Sequence, residues 1–252
     1  MNNKTVRFEN VKLGIVCPMA NEQATAVEFV KQVLGNCRQR DFESVIFFAI
    51  FDNSCTDGSL ELLKELEAET SSLKVIYEPE NTCVVDAYVE GYKQAMEAGC
   101  DWILEIDGGF SHQPYQIPAF LDKMSEGYDC VFGSRFIKGG KFKDAPLLRY
   151  LISRWGSTLA NLMLGTKLKD MTSGFEFFTA DTLQKVLDKG IRSKGHFFQT
   201  EIKAHCSRLR IAEIPIEYSS PSQAVNGNVL LDAFGNLFYL FKQRIKGDLY
   251  IG

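Results

Sequence analysis

No stretch of these 252 residues approaches the roughly 20 apolar positions that a membrane-spanning helix needs. The longest strictly apolar run, Val45 to Phe51, has only the length of a strand. The opening residues, Met1 to Arg7, lack the apolar centre of a secretory signal, so a cytoplasmic protein is expected. No C-x-x-C pair occurs. The seven cysteines (Cys17, Cys37, Cys55, Cys83, Cys100, Cys130 and Cys206) are odd in number and scattered, which predicts reduced thiols rather than disulfides or a zinc site. A basic surplus is missing too. The 28 Lys and Arg against 32 Asp and Glu leave a net charge of −4, which argues against a nucleic-acid partner. No Pro/Ser-rich linker and no internal repeat divides the chain, so a single domain is expected.

What is present is an ordinary globular composition, 45% hydrophobic and 24% charged, arranged as alternating strand and helix patterns. Strand-like runs are Leu13 to Cys17, Ser44 to Phe51, Leu73 to Tyr77, Trp102 to Ile106 and Cys130 to Gly133. Helical patterns fall between them, beginning with Ala26, Phe29, Val30, Val33 and Leu34 on one face. This alternation predicts a mostly parallel sheet with helices on both faces. Beyond Gly133 come a Gly/Lys-rich loop, Lys138 to Lys143, and an amphipathic pattern from Leu147 to Leu164. Two further strand candidates follow, Gly174 to Phe178 and Ile211 to Ile216. The chain closes with a helix pattern that places Leu230, Phe234, Leu237, Phe238, Phe241 and Ile245 on one stripe.

Ligands of an open parallel sheet bind outside the carboxyl ends of its strands, so the polar residues after each strand are the candidate site. They are Pro18 to Glu22, Asp52 to Ser59, Asp107 to Pro114 and Gly133 to Arg135. Read one by one, several of them are equally at home in a structural role. An Asp-Gly pair such as Asp57-Gly58 is often just a turn or a helix cap, and a lone Ser-Arg after a strand is often a surface ion pair.

Taken in order, these segments resemble the inverting, nucleotide-sugar-dependent family 2 glycosyltransferases of GT-A fold. The branch they match is that of dolichyl-phosphate mannose synthase and related polyprenyl-phosphate glycosyltransferases. Pro18, Asn21 and Glu22 fall on the family's P-x-Y-N-E, with Ala20 in place of its tyrosine, and Asp52, Thr56, Asp57 and Gly58 on its V-D-D-G-S-T-D-G-T. Asp107, His112 and Pro114 match D-A-D-L-Q-H-P-P, and Gly133, Ser134 and Arg135 match G-S-R. Arg149, Ser153 and Asn161 follow at family spacing, then Asp170, Thr172, Ser173, Gly174 and Phe175. Last come Phe198, Gln199 and Glu201, and then Glu213, Pro215 and Ile216. The likeness covers about residues 12 to 217.

The resemblance implies a Rossmann-like GT-A domain whose half from about 12 to 133 binds a nucleotide sugar and whose half from about 134 to 252 receives the acceptor. Pro18, Asn21, Glu22, Asp52, Asn53 and Asp107 would hold the donor. Asp107 would hold Mg2+ or Mn2+ against its diphosphate. Ser134, Arg135, Arg149 and Ser153 would hold an anionic acceptor, a lipid phosphate, because guanidinium forks suit phosphate oxygens. Asp107, Arg135 and Arg149 form the implied catalytic set. A lipid acceptor also implies peripheral contact with the cytoplasmic face of a membrane, for which the Leu147 to Leu164 pattern and the last helix are candidates.

The chain departs from the family pattern on the donor side. Gly109 stands where D-x-D has its second acid, and both glycines of N-x-G-x-G-x-A are absent from Asn81 to Ala87. The late R-x-x-G-x-S-K, on Pro221 to Gly227, has lost its arginine and lysine. Glu105, on the same strand face as Asp107, is a candidate to replace the lost acid, and Lys138, Lys141 or Lys143 to replace the lost cations. Two alternatives stay open. One is transfer to a saccharide hydroxyl, with Glu176 or Asp170 as general base. The other is a nucleotide-sugar-binding protein without catalysis. The sequence leaves the oligomeric state open.

Overall fold

The computed structural model describes residues 6–143, 146–219 and 227–252. Apolar residues on both sides of the strands drive the assembly. In β1 (Lys12–Pro18) and β2 (Ser44–Phe51), successive residues such as Phe47 and Phe48 are buried against opposite faces, so each strand needs a helix layer above and below. β3 (Leu73–Tyr77) and β4 (Trp102–Glu105) complete a parallel half, with Leu13 level with both Val45 and Trp102. The helices α1 (Ala26–Cys37), α2 (Ser59–Glu69) and α3 (Val84–Glu97) are the crossovers that parallel pairing requires. α4 (Ile117–Ser125) leads to β5 (Cys130–Ser134).

The second half adds β6 (Lys141–Lys143), α5 (Leu147–Leu164), β7 (Glu176–Thr179), α6 (Ala180–Lys189), α7 (Phe198–Cys206), β8 (Ile211–Pro215), β9 (Glu217–Ser219) and α8 (Gly227–Lys246). The main sheet runs β3-β2-β1-β4-β7-β5-β8, with β7 antiparallel to both neighbours and every other pair parallel. The expected mostly parallel sheet in a single domain is the fold observed. Part of the Gly/Lys-rich loop is strand β6, paired parallel with β9.

The stripe expected on the last helix is only partly core. Leu237 is buried, whereas Phe234, Phe238 and Ile245 are exposed, and the buried Leu240 lies outside the expected stripe. α8 rests on α5 rather than on the sheet, so only a narrow face is covered. The C-terminal end of α5 is closed by its partners: Gly165 turns left-handed at φ 68, and the Arg244 guanidinium donates to the carbonyls of Leu162 and Met163 at 3.1 and 2.8 Å. Among the described residues no helix is long and apolar enough to cross a membrane.

Candidate active site

The loops after β1, β2 and β4 meet at one edge. Pro18 ends β1, and Asn21, in a left-handed turn, stitches the first loop to the second. Its amide donates to the Ser54 carbonyl at 2.9 Å, and its Oδ1 accepts the Thr56 N–H at 2.9 Å. Asp57 accepts the N–H of Gln23 at 3.0 Å and that of Ser59 at 2.9 Å. Bonding from Ser59, above all its hydroxyl, holds the Asp57 carboxyl below its usual range. Asp52 accepts the Ser54 N–H at 2.8 Å, and Asn53 bridges the Tyr77 hydroxyl and the Pro79 carbonyl. Glu22 is half-buried, and burial pushes its carboxyl up.

Asp107 stands beyond the end of β4. Its Oδ1 accepts the Tyr88 hydroxyl at 2.5 Å, and its Oδ2 lies 3.5 Å from Nδ1 of His112. His112 is fully buried between the rings of Phe175 and Tyr218, and that burial holds it down to about 4, so the ring is neutral at pH 7. Glu105 does not replace the missing acid. It is fully buried and accepts the Tyr92 hydroxyl and the Gln199 amide, and burial raises its carboxyl well above the usual range. Gly174 makes room for Gln199, which lies where a β-carbon would otherwise sit. Beside this pair Lys203, fully buried, meets Glu176 at 3.0 Å and donates to the Ser173 carbonyl.

Arg135 is 7% exposed, and its guanidinium grips Asp170 with two bonds, 2.7 and 2.8 Å, while its N–H donates to the same carboxylate at 3.0 Å. Burial pushes Asp170 up, but Arg135 outweighs it and holds the carboxyl at about 2. Asp170 therefore braces Arg135. The rings of Phe142 and Tyr218 pack against the same guanidinium. Ser134 is fully buried, and among the described residues its hydroxyl has no hydrogen-bond partner. Arg149 is half-buried on the first turn of α5, 3.5 Å from the Tyr218 hydroxyl, with Ser153 one turn further along.

A groove of about 800 Å³ gathers Asp107, Arg135, Arg149 and Ser153, whereas Pro18, Asn21, Glu22, Asp52, Asn53 and Ser134 do not line it. Its polar end also carries Gln199 and Tyr218. Its walls run along α5 and α8 through Trp155, Leu159, Phe234 and Leu237. Tyr88 and Tyr218 escaped the motif reading. Tyr88 had a signal, since Tyr88 and Tyr92 recur four apart on one helix face. Positions 221–226, which carry most of the late motif, lie outside the described residues.

Among the described residues no three His, Cys, Asp or Glu side chains gather to hold a metal ion. Asp107 nevertheless presents a partly exposed carboxylate, and Glu22 sets a second carboxylate against the turn at Gly108 and Gly109. Hard carboxylate oxygens of this kind fit a divalent cation whose other ligands would be diphosphate oxygens and water.

Solved structures place this architecture in a class. Glucosyl-3-phosphoglycerate synthase from Mycobacterium tuberculosis bound to UDP superposes with a TM-score of 0.62 over 90% of this chain and 80% of that one, at 15% identity. The same protein with Mn2+, UDP-glucose and phosphoglyceric acid gives 0.61 at 15% identity, again over 90% of this chain and 80% of that one. The shared fold is the GT-A glycosyltransferase fold. The sequence then places the chain within it: the glycosyl transferase family 2 profile matches residues 14–187, and the chain belongs to that family. It is 34% identical over 205 residues to the undecaprenyl-phosphate mannosyltransferase of Micrococcus luteus, covering 81% of this chain and 82% of that protein. It is 25% identical over 215 residues to the polyprenol monophosphomannose synthase of Mycolicibacterium smegmatis, covering 84% and 79%.

Proposed function

We propose that the protein moves a glycosyl group from a nucleotide sugar to a polyprenyl phosphate, with inversion at the anomeric carbon. The observation that carries this reading is the groove, whose polar end holds Asp107 and Arg149 and whose walls are the apolar sides of α5 and α8. A phosphate carrying a long hydrocarbon chain is complementary to both parts. The names of the two relatives above, a mannosyltransferase of undecaprenyl phosphate and a polyprenol monophosphomannose synthase, support the same acceptor chemistry.

A phosphate is already a nucleophile at neutral pH, so the acceptor brings its own negative charge and needs no general base. The saccharide-acceptor alternative needs one, and neither candidate is suited to it. Asp170, at about 2 and gripped by Arg135, is too weak a base, and Glu176 is fully buried against Lys203. Arg149 would bind the acceptor phosphate. Arg135 would act through position, fixing the Asp170 to Thr172 turn and the Tyr218 ring beside it. Residues 12–133 would hold the donor and 134–252 the acceptor.

Asp107 would hold Mg2+ or Mn2+ against the donor diphosphate. There the cation supplies electrostatic stabilisation of the charge that develops on the leaving nucleoside diphosphate.

Trp155 and Leu162 on α5 are 69% and 77% exposed, and Phe234 on α8 is 56% exposed. Arg154, Lys242 and Lys246 flank these residues and are exposed as well. Such a surface suits the headgroup zone on the cytoplasmic face of a membrane, where the acceptor is anchored. The decisive experiment is transfer of radiolabel from a panel of nucleotide sugars into a butanol-extractable polyprenyl lipid. Label is expected in the lipid, and no transfer from any donor would reject the proposal.

A further inference from the structure

We infer that Glu22, carried by the loop between β1 and α1, supplies the second carboxylate of the cation site in place of the acid absent at position 109. This inference rests on the nucleotide-sugar reading above and names a ligand that the D-x-D pattern does not contain.

The argument begins with the backbone. Gly109 and Phe110 are consecutive left-handed residues, at φ 67 and 60, in the turn that follows Asp107. The Phe110 ring stands edge-on to Phe29 of α1 at 5.2 Å, which fixes the turn against the helix that Glu22 precedes. The direction in which position 109 would project a side chain is therefore set. That direction meets Glu22. A β-carbon on residue 109 would lie 2.5 and 2.7 Å from the two Glu22 carboxylate oxygens, closer than real β-carbons come. The Glu22 carboxylate thus occupies the volume in which an aspartate at 109 would begin.

Two further contacts keep it there. The Thr25 hydroxyl donates to Glu22 Oε2 at 3.0 Å, and the Glu22 N–H donates to the Ser59 hydroxyl at 2.7 Å. Oε1, on the side of the Gly108–Gly109 turn, accepts no hydrogen bond from the described residues, so it is the oxygen offered to a ligand. Glu105, the other acid near Asp107, is buried and engaged by Tyr92 and Gln199. A hard cation accepts carboxylate oxygens from any part of the chain that delivers them. An exchange of positions, glycine at 109 and the acid from the first loop, preserves the ligand chemistry that the bare motif has lost.

The test uses the full chain and reads Mn2+ binding by the loss of the free-ion electron paramagnetic resonance signal, with UDP or GDP present. Wild type is expected to bind. Glu22→Gln, which keeps the shape and removes the charge, should weaken Mn2+ binding about tenfold or more, a loss seen even for outer-shell partners. Its thermal midpoint should stay unchanged. Mn2+ binding by Glu22→Gln equal to wild type would overturn the inference. Wild type that binds no Mn2+ with either nucleotide would instead reject the cation reading beneath it.

Discussion

The two halves of the carboxyl edge are held by different means. On the donor side, Asn21, Asn53 and Asp57 bond to the backbone of neighbouring loops and Asp52 to the backbone of its own, so three loops are tied by many small, local contacts. On the acceptor side one buried clamp, Arg135 on Asp170, fixes the polar end, and beyond it α5 and α8 leave large apolar side chains in solvent. The difference separates preorganisation from reception. A nucleotide needs donors and acceptors already in place, whereas a hydrocarbon chain needs a surface that stays open until it arrives.

The clamp is where this contrast can be broken most sharply. Asp170→Ala leaves the Arg135 guanidinium buried without its partner, and loss of one member of a buried pair costs about 3–5 kcal/mol. Thermal or urea unfolding should show that fall, with the donor loops still able to bind nucleotide at low temperature. The pair also has a pH signature. Because Asp170 is depressed to about 2 in the folded chain, its contribution is present above the unfolded value of about 3.9 and is lost as pH falls toward about 2. Glu176 behaves oppositely. Burial raises it to about 7, so its contribution is present below the unfolded value and is lost as pH rises through about 7. Stability measured against pH should therefore decline at both ends, and Glu176→Gln should flatten only the neutral side.

Arg149 tests reception alone. Arg149→Ala should lower kcat/KM for the lipid phosphate about 100-fold, close to 2.7 kcal/mol, as expected for removal of one charge-stabilising donor. Nucleoside diphosphate binding should not change, and a matching loss of donor affinity would contradict the division of the two sides. Asn21→Ala is the reciprocal probe. Removing three loop-to-loop bonds, two of which share one acceptor, should cost about 1–2 kcal/mol of stability and weaken nucleotide binding, without altering the acceptor KM.

How legible these features were depended on what the residues pack against. The parallel strands from β1 to β5 stood out as short apolar runs, and the span Leu147–Leu164 because its apolar residues recur with a helical period. α7 did not, since every residue from Phe198 to Cys206 is buried, polar ones included, which erases the amphipathic pattern. Asp107, Arg135, Arg149 and Ser153 were legible as an ordered set, and the groove gathers them. The burial of Arg135 was not, because Ser-Arg after a strand reads the same whether the guanidinium faces solvent or Asp170. The approach of Glu22 to Gly109 was hidden for a simpler reason, since the two are brought together only by the turn at Gly109 and Phe110.

The smallest expected effect bears on the open side of the comparison. Leu162, near the end of α5, is 77% exposed and does not line the groove, so it touches neither the donor loops nor the acceptor phosphate. If α5 lies in the headgroup zone, Leu162→Ser removes apolar area from that contact, worth about 1 kcal/mol, or roughly a fivefold weaker partition. Flotation with vesicles that contain anionic lipid should show this shift, while activity on a detergent-dispersed short-chain acceptor stays at the wild-type level. The two readouts separate docking from catalysis. A variant that floats like wild type would mean that the exposed stripe faces something other than lipid, and the apolar surface of α5 would then need a protein partner. A variant that loses activity in detergent would mean that the helix end shapes the groove itself, and the separation of a preorganised donor edge from an open acceptor face would be less complete than the contacts of Arg244 with Leu162 and Met163 suggest.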